Sequence, residues 1–321
     1  MWYSQNENPL VWARDFGDMA DYGMKFLRIL HFSPFAKADH PERVDKSPFS
    51  LTLPPPEKTC RQTDAIVQLA NYSNVSVMLA LHDWIPWELE EDELAAEAKW
   101  DAYWVDRYKA WPGLFYDIQN EPHAGRIKPF GPGRRWTDLA ARDGERRRSD
   151  CFHGWQKVNA DAVHAVHPKA AVTTGHLQTL DAAEKQLSTD GIDFSNVHHY
   201  GDAGHLRSVV KLTDRRFEGR GISLGEFGSR IAHDARARGE IDDPAEHSIR
   251  HFLRVNHYLY GMGGAFSGVW DWKDFQDCVF PWGMTFADGT PKDVLPAYRN
   301  MTMMFRAAGP IVNESHTHHL P

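Results

Sequence analysis

The stretch Leu114-Phe115-Tyr116-Asp117-Ile118-Gln119-Asn120-Glu121-Pro122 decides the fold. It is a mostly apolar run of strand length that stops at a carboxylate and then at a proline. A second run, Gly221-Ile222-Ser223-Leu224-Gly225-Glu226-Phe227-Gly228, stops at a carboxylate in the same way. Strands that are apolar along their length are buried on both faces, as in parallel sheets covered by helices. A carboxylate at the end of such a strand is poorly placed for packing. It is well placed for chemistry at the mouth of a barrel.

Outward from these two runs, strands alternate with helices. Candidate strands cover 25–31, 75–81, 114–120, 170–174, 194–199, 221–225 and 266–270. Candidate helices cover 13–22, 57–72, 88–110, 151–166, 180–187, 205–217, 244–260 and 291–307. So many βα units in one run predict an α/β chain folded as a (β/α)8 TIM barrel rather than an open sheet. The helices outnumber the strands by one, so the first barrel strand is expected to be missing or truncated. The chain is expected to begin within or just after that strand of a longer parent, with Met1–Ser4 as its stub or another segment filling the gap. Residues 1–308 are expected to form the catalytic barrel and 309–321 a disordered tail. The segment 128–148, with Gly131-Pro132-Gly133-Arg134-Arg135 and Arg146-Arg147-Arg148, reads as an insertion whose charges face water, with a basic wall of a binding cleft as the alternative.

Bulk properties exclude several classes. The chain has 321 residues, 42% of them hydrophobic and 25% charged, as in a water-soluble globular protein. A net charge of −8 argues against nucleic acid and anionic membranes as partners. No apolar run approaches the roughly 20 residues that a membrane-spanning helix needs. The N-terminus shows no signal-peptide pattern. Cys60, Cys151 and Cys278 are odd in number and far apart, which suits neither a disulfide framework nor a zinc cluster. The 12 tryptophans include flat faces on which sugar rings could stack, with Trp84, Trp87, Trp136 and Trp282 as candidate platforms.

Two carboxylates at strand ends of one barrel suggest glycoside hydrolysis, which uses one as acid/base and one as nucleophile. Asn120-Glu121-Pro122 together with Gly225-Glu226-Phe227-Gly228 resembles the clan A glycoside hydrolases, and most nearly family 5, the cellulase and mannanase family. Further segments match in order. Phe26-Leu27-Arg28-Ile29-Leu30 is similar to the family's second strand, and Leu79-Ala80-Leu81-His82-Asp83 to its third. Val197-His198-His199-Tyr200 is similar to the sixth, and Gly268-Val269-Trp270-Asp271-Trp272 to the eighth. His198 and Tyr200 are two apart and share one face of a strand, with His199 turned away.

The resemblance implies retaining hydrolysis of β-linked glycans of cellulose, mannan or related β-glucan type. An oligosaccharide or polysaccharide is then the partner, and no cofactor or metal is required. It implies Glu226 as nucleophile and Glu121 as acid/base. Arg28 and Tyr200 would favour the charged form of Glu226, and Asn120 would donate to the sugar 2-hydroxyl. His82 and His198 would orient hydroxyls and carboxylates, and Trp270 would be the sugar platform. Two other readings stand beside it. One is a carbohydrate-binding protein without turnover on the same scaffold. The other is a metal-dependent barrel hydrolase, prompted by 18 histidines but lacking a His-x-His pair on a first strand.

Overall fold

The computed structural model describes residues 8–30, 53–83, 91–122, 152–176, 189–217, 220–228, 244–274 and 283–308. Several sequence readings lie outside these residues: the stub Met1–Ser4, the insertion 128–148, the helix at 180–187, the tail from 309, Cys151, Cys278, and Trp84, Trp87, Trp136 and Trp282. Seven strands form one sheet: β1 (Phe26–Ile29), β2 (Ser76–Asp83), β3 (Leu114–Asn120), β4 (Ala171–His176), β5 (Ser195–His199), β6 (Ile222–Phe227) and β7 (Phe266–Val269). All neighbours pair in parallel and in chain order. The helices are α1 (Pro9–Asp21), α2 (Glu57–Tyr72), α3 (Glu91–Tyr108), α4 (152–166), α5 (Ala203–Phe217), α6 (Pro244–Gly261) and α7 (Val294–Ala308). This is a nearly closed (β/α)8-type barrel with one strand missing among the described residues. No helix in them is long and apolar enough to cross a membrane.

Three helix starts differ from the sequence reading among the described residues. Helix α5 begins two residues earlier, at Ala203. Helix α1 begins four residues earlier, at Pro9. The Asn8 side chain accepts the Leu10 N–H at 3.0 Å, and proline at the first helical position loses no hydrogen bond. Helix α7 begins three residues later, because Pro291 bridges to Thr285 and the Lys292 N–H donates to the Met284 carbonyl.

The core has three parts. At the N-terminal ends of the strands, Phe26, Met78 and Phe194 pack with Phe115, Ala171 and Phe266 inside the barrel and form its floor. Outside the sheet, one layer joins α1, α2, α5, α6 and α7 to the strands through residues such as Trp12, Phe16, Leu224, Phe252 and Trp272. A second joins α3 and α4 to β2–β4 through Trp104, Tyr116, Ile118 and Trp155. Between β1 and β7 no strand pairing joins the sheet among the described residues. The seam is bridged by the stacked rings of Phe26 and Phe266, with centroids 4.1 Å apart. With the floor filled by phenylalanines, the opposite, C-terminal ends of the strands are left for polar groups.

Candidate active site

Alternation along β3 places Phe115 in the floor and Tyr116 and Ile118 in the outer layer. Continued strictly, it would send Asn120 outward as well. The β3–β4 register instead breaks between Asp117 and Asn120, and Asn120 turns into the barrel. Glu121 follows with φ 41°, outside the range most residues adopt. Strand β6 repeats the device. Leu224 and Phe227 both lie in the outer layer although they are an odd number apart, and the register with β7 breaks between them. The residue thereby turned inward is Glu226. Irregularities of this kind re-aim single side chains without disturbing the rest of a sheet.

The two glutamates converge. His198 Nδ1 on β5 lies 2.8 Å from Glu121 Oε1 and 3.4 Å from Glu226 Oε2. One oxygen of each glutamate and a His198 nitrogen all lie within 4.8 Å of one another. Both carboxyl groups are largely buried, Glu121 at 7% and Glu226 at 6% exposure, so each keeps a small face toward the mouth. Arg28 on β1 reaches across and donates through Nη1 to Glu226 Oε1 at 2.5 Å. Tyr200, just past β5, donates its hydroxyl to Glu226 Oε2 at 2.7 Å.

These contacts set the charge of Glu226. Burial opposes ionisation, but His198, the Arg28 guanidinium and the Tyr200 hydroxyl together outweigh it and hold the carboxyl below the usual glutamate range. The Arg28 guanidinium is held charged by Asp117 and Glu226 against its own burial. Burial, with Glu226 and Glu121 close by, pushes the Tyr200 phenol well above its ordinary value, so it stays a donor.

Asn120 sits between two fixed partners. Its Oδ1 accepts from Arg28 Nη2 at 2.9 Å, and its Nδ2 donates to Asp83 Oδ1 at 2.8 Å. Reversing the amide would set donor against donor, so its orientation is determined. His82, beside Asp83, turns toward helix α3, where its Nε2 lies 2.7 Å from Asp101. Trp270 is half-buried at the end of β7, and its backbone N–H donates to the Phe227 carbonyl at 2.7 Å. Next to it, the Asp271 carboxyl accepts the Trp272 N–H at 2.5 Å. Burial first, with the Glu226 and Asp274 charges adding, pushes Asp271 up to about 6. His199 turns away and bonds the Asp202 carbonyl at 2.9 Å.

Glu121, His198 and Glu226 also form the one group of three metal-ligating side chains found together among the described residues. Glu226 there is already paired with the Arg28 guanidinium, and Glu121 Oε1 shares a hydrogen bond with His198 Nδ1.

The model of the cellulase family, glycosyl hydrolase family 5, matches residues 2–260. The chain belongs to glycosyl hydrolase family 5. Solved structures share the fold of this family 5 chain. A variant of GH5_18 from Streptomyces cattleya, in complex with Manβ1-4GlcNAc, has a TM-score of 0.72 at 15% identity, over 96% of this chain and 80% of that one. The endo-β-1,4-mannanase from Thermotoga petrophila has a TM-score of 0.66 at 13% identity, over 97% and 77%. An exo-β-1,4-mannosidase from Opitutaceae bacterium strain TAV5 has a TM-score of 0.62 at 15% identity, over 92% and 56%. No curated protein matches the chain.

Four residues of this family 5 site escape a reading of the sequence: Asp83, Asp117, Gly175 and Asp271. Asp117 carries a signal all the same. A charged residue midway along an apolar strand has to find a buried partner, and here it is Arg28. Gly175 gives none, because its importance lies in what crowds around its Cα.

Proposed function

We propose that this family 5 hydrolase is a retaining β-glycosidase in which Glu226 is the nucleophile and Glu121 the acid/base, with residues 1–308 as the catalytic unit and 309–321 as a tail. The observation that carries this reading is the approach of the two carboxyl groups, whose nearest oxygens lie within 4.8 Å. Retaining enzymes hold their carboxyl groups about 5–5.5 Å apart, whereas inversion needs about 6.5–9.5 Å to admit a water.

In the first step Glu226 Oε bonds to the anomeric carbon and the glycosidic C–O bond breaks. The departing oxygen takes the proton from Glu121. In the second step a water oxygen bonds to the same carbon and gives its proton to Glu121, and the bond to Glu226 breaks. Glu226 suits its part because Arg28, His198 and Tyr200 keep it ionised. His198, in reach of both glutamates, couples them. Asn120 carries two amide protons; Asp83 takes one, and the other is left for the sugar 2-hydroxyl, a contact that strengthens in the transition state. Trp270 offers the sugar a flat face.

The substrate is a β-linked glycan, and β-mannosides head the set to test. The similar folds of a mannanase, a mannosidase and a Manβ1-4GlcNAc complex support that order. The decisive experiment is a panel of mannan, cellulose and xyloglucan with short aryl glycosides, assayed for released reducing ends, with Glu226→Ala as the blank. Turnover should fall to the no-enzyme background in Glu226→Ala. Glu121→Ala should still react with aryl glycosides that carry good leaving groups, then stall, and azide should rescue it with net retention. Azide added to Glu226→Ala should give the inverted glycosyl azide. The same product stereochemistry from both variants would overturn the assignment of roles.

A further inference from the structure

Asp117 is fully buried on β3 and touches neither glutamate. Its Oδ2 accepts from Arg28 Nε at 2.9 Å and from Arg28 Nη2 at 2.5 Å. Its Oδ1 accepts the Gly175 N–H at 2.8 Å. Every contact made to this carboxylate is a donor, as an ionised group requires. Arg28 is thereby gripped on one side of its fork, through Nε and Nη2, and only Nη1 points at Glu226. The same residue that holds Asp117 also holds the other glutamate. The Gly175 carbonyl accepts the Glu121 N–H at 2.9 Å, at the point where the chain leaves β3 with positive φ.

Gly175 has no room for a side chain. A Cβ there would lie 3.0 Å from Asp117 Oδ2, 3.0 Å from His198 Nε2 and 3.1 Å from Arg28 Nη2. Three charged or polar side chains from three strands converge on its bare Cα. One residue of β4 therefore touches the support of each member of the pair. Its N–H reaches Glu226 through Asp117 and Arg28, and its carbonyl reaches Glu121 directly.

We propose that Asp117 and Gly175 are positioning residues for both glutamates: Asp117 fixes the Arg28 fork and shares its charge, so that Glu226 faces a guanidinium of set direction and reduced field, and Gly175 carries Asp117 on its N–H and Glu121 on its carbonyl. The proposal rests on the glycosidase reading for its effect on turnover, but not for its effect on Glu226 itself. Among the described residues, the charged and titratable groups around Glu226 are Arg28 on β1, Glu121 just past β3, His198 on β5 with Tyr200 just past it, and Asp271 after β7. The hydrogen bonds of Asp117 reach it through Arg28.

Asp117→Asn keeps the shape, removes one negative charge and leaves one donor facing a donor. With the Arg28 charge no longer shared, Glu226 should titrate about one pH unit lower and become a weaker nucleophile. Two readouts follow it. A carboxyl carbon NMR titration of Glu226 should move down by that amount. On the best substrate of the panel, the acid limb of kcat/KM should move down with it, kcat should fall roughly 10–100-fold, and KM should stay within about threefold. A merely structural residue would lower the amount of folded protein and leave both titrations in place.

Gly175→Ala is the second variant. Its methyl group should push Arg28 and His198 off Glu226 and move the titration of Glu226 up. Unchanged Glu226 titrations in both variants, or kcat within about twofold of the parent in Asp117→Asn, overturn the proposal. If Asp117→Asn does not fold, the Gly175→Ala titration decides alone. If the parent turns over no β-glycoside at all, the functional reading fails, and the NMR titrations still judge the bracing of Glu226.

Discussion

Glu226 is an anion kept in a nearly closed space by three partners, and the removal of one is informative. Tyr200→Phe takes away the hydroxyl that donates to Glu226 Oε2 at 2.7 Å and changes no formal charge. Burial then meets less opposition, so the Glu226 carboxyl should rise toward the ordinary range. The sign for activity follows. The nucleophile must be ionised, so raising its pKa moves the acid limb of kcat/KM to higher pH, by about half a unit to one unit. At neutral pH the larger loss comes from the missing contact, roughly 10–100-fold in kcat by analogy with other supporting groups. A pH–rate profile with an unmoved acid limb would show that the hydroxyl does not tune this carboxylate. At this scale the sequence is partly legible. Glu121, Glu226, Arg28, Asn120, His198 and Tyr200 can be picked out from strand ends and from the family resemblance, and the structure brings them into one cluster. Gly175 cannot, and Asp117 shows only that it needs a buried partner, because their parts depend on contacts between residues far apart in the chain. His82 can be picked out too, but its engagement with Asp101 cannot, since that needs the packing of α3 on β2.

The elements show where period counting stops. All seven strands are visible in the sequence, most of them as short apolar runs between breakers. The shifts of phase in β3 and β6 are not, because an inserted irregularity leaves hydrophobic content unchanged. A steric trace remains at Gly225, where a Cβ would collide with the Asn196 side chain. Helix α3 carries a different departure from pattern. Glu97 and Asp101 face the core, fully buried, with His82. Glu97 Oε2 accepts from Trp155 Nε1 at 2.7 Å and from Asn159 Nδ2 at 3.3 Å, and burial pushes its pKa up to about 7. The folded state thus binds a proton that the unfolded chain releases near pH 4.5. Stability from this group is full below that pH and is lost as the pH rises through about 7. Glu97→Gln keeps an oxygen to accept from Trp155 and Asn159 and carries no charge. It should be more stable than the parent at pH 8, by roughly 1–3 kcal/mol, with little difference at pH 4.5. Denaturant melts at the two pH values check this, and a gain equal at both would mean that the charge is not the cause.

The whole barrel is built like a family 5 barrel except at one seam. Elsewhere each strand is tied to two neighbours by ladder hydrogen bonds, a redundancy that spreads the effect of any one side chain. Between β1 and β7 that tie is missing among the described residues. Bare edges of this kind need cover. Here it comes from α1, whose Trp12 and Phe16 pack in the same layer as Trp272, Met284 and Leu295, and from the Phe26–Phe266 stack inside. The uneven count of helices and strands makes this seam legible in the sequence, but the phenylalanine stack that bridges it is not. Apolar residues at strand starts look alike whether they fill a floor or span a gap. The difference predicts an uneven response to mutation. Phe26→Ala removes the ring that stacks on Phe266 and also meets Phe115 edge-on at 6.2 Å. Its cost should be about 3–5 kcal/mol, that of a large core truncation. Its mark should be where that cost appears. With no ladder to hold the seam, β1 and β7 should part locally before the barrel melts, so their amides should exchange hydrogen faster at neutral pH while those of β3 and β4 keep most of their protection. A Phe194→Ala variant truncates the same floor inside the continuous sheet and should speed exchange in all strands alike. Equal acceleration in every strand of Phe26→Ala, or a cost below about 1 kcal/mol, would mean that something other than this aromatic contact closes the barrel.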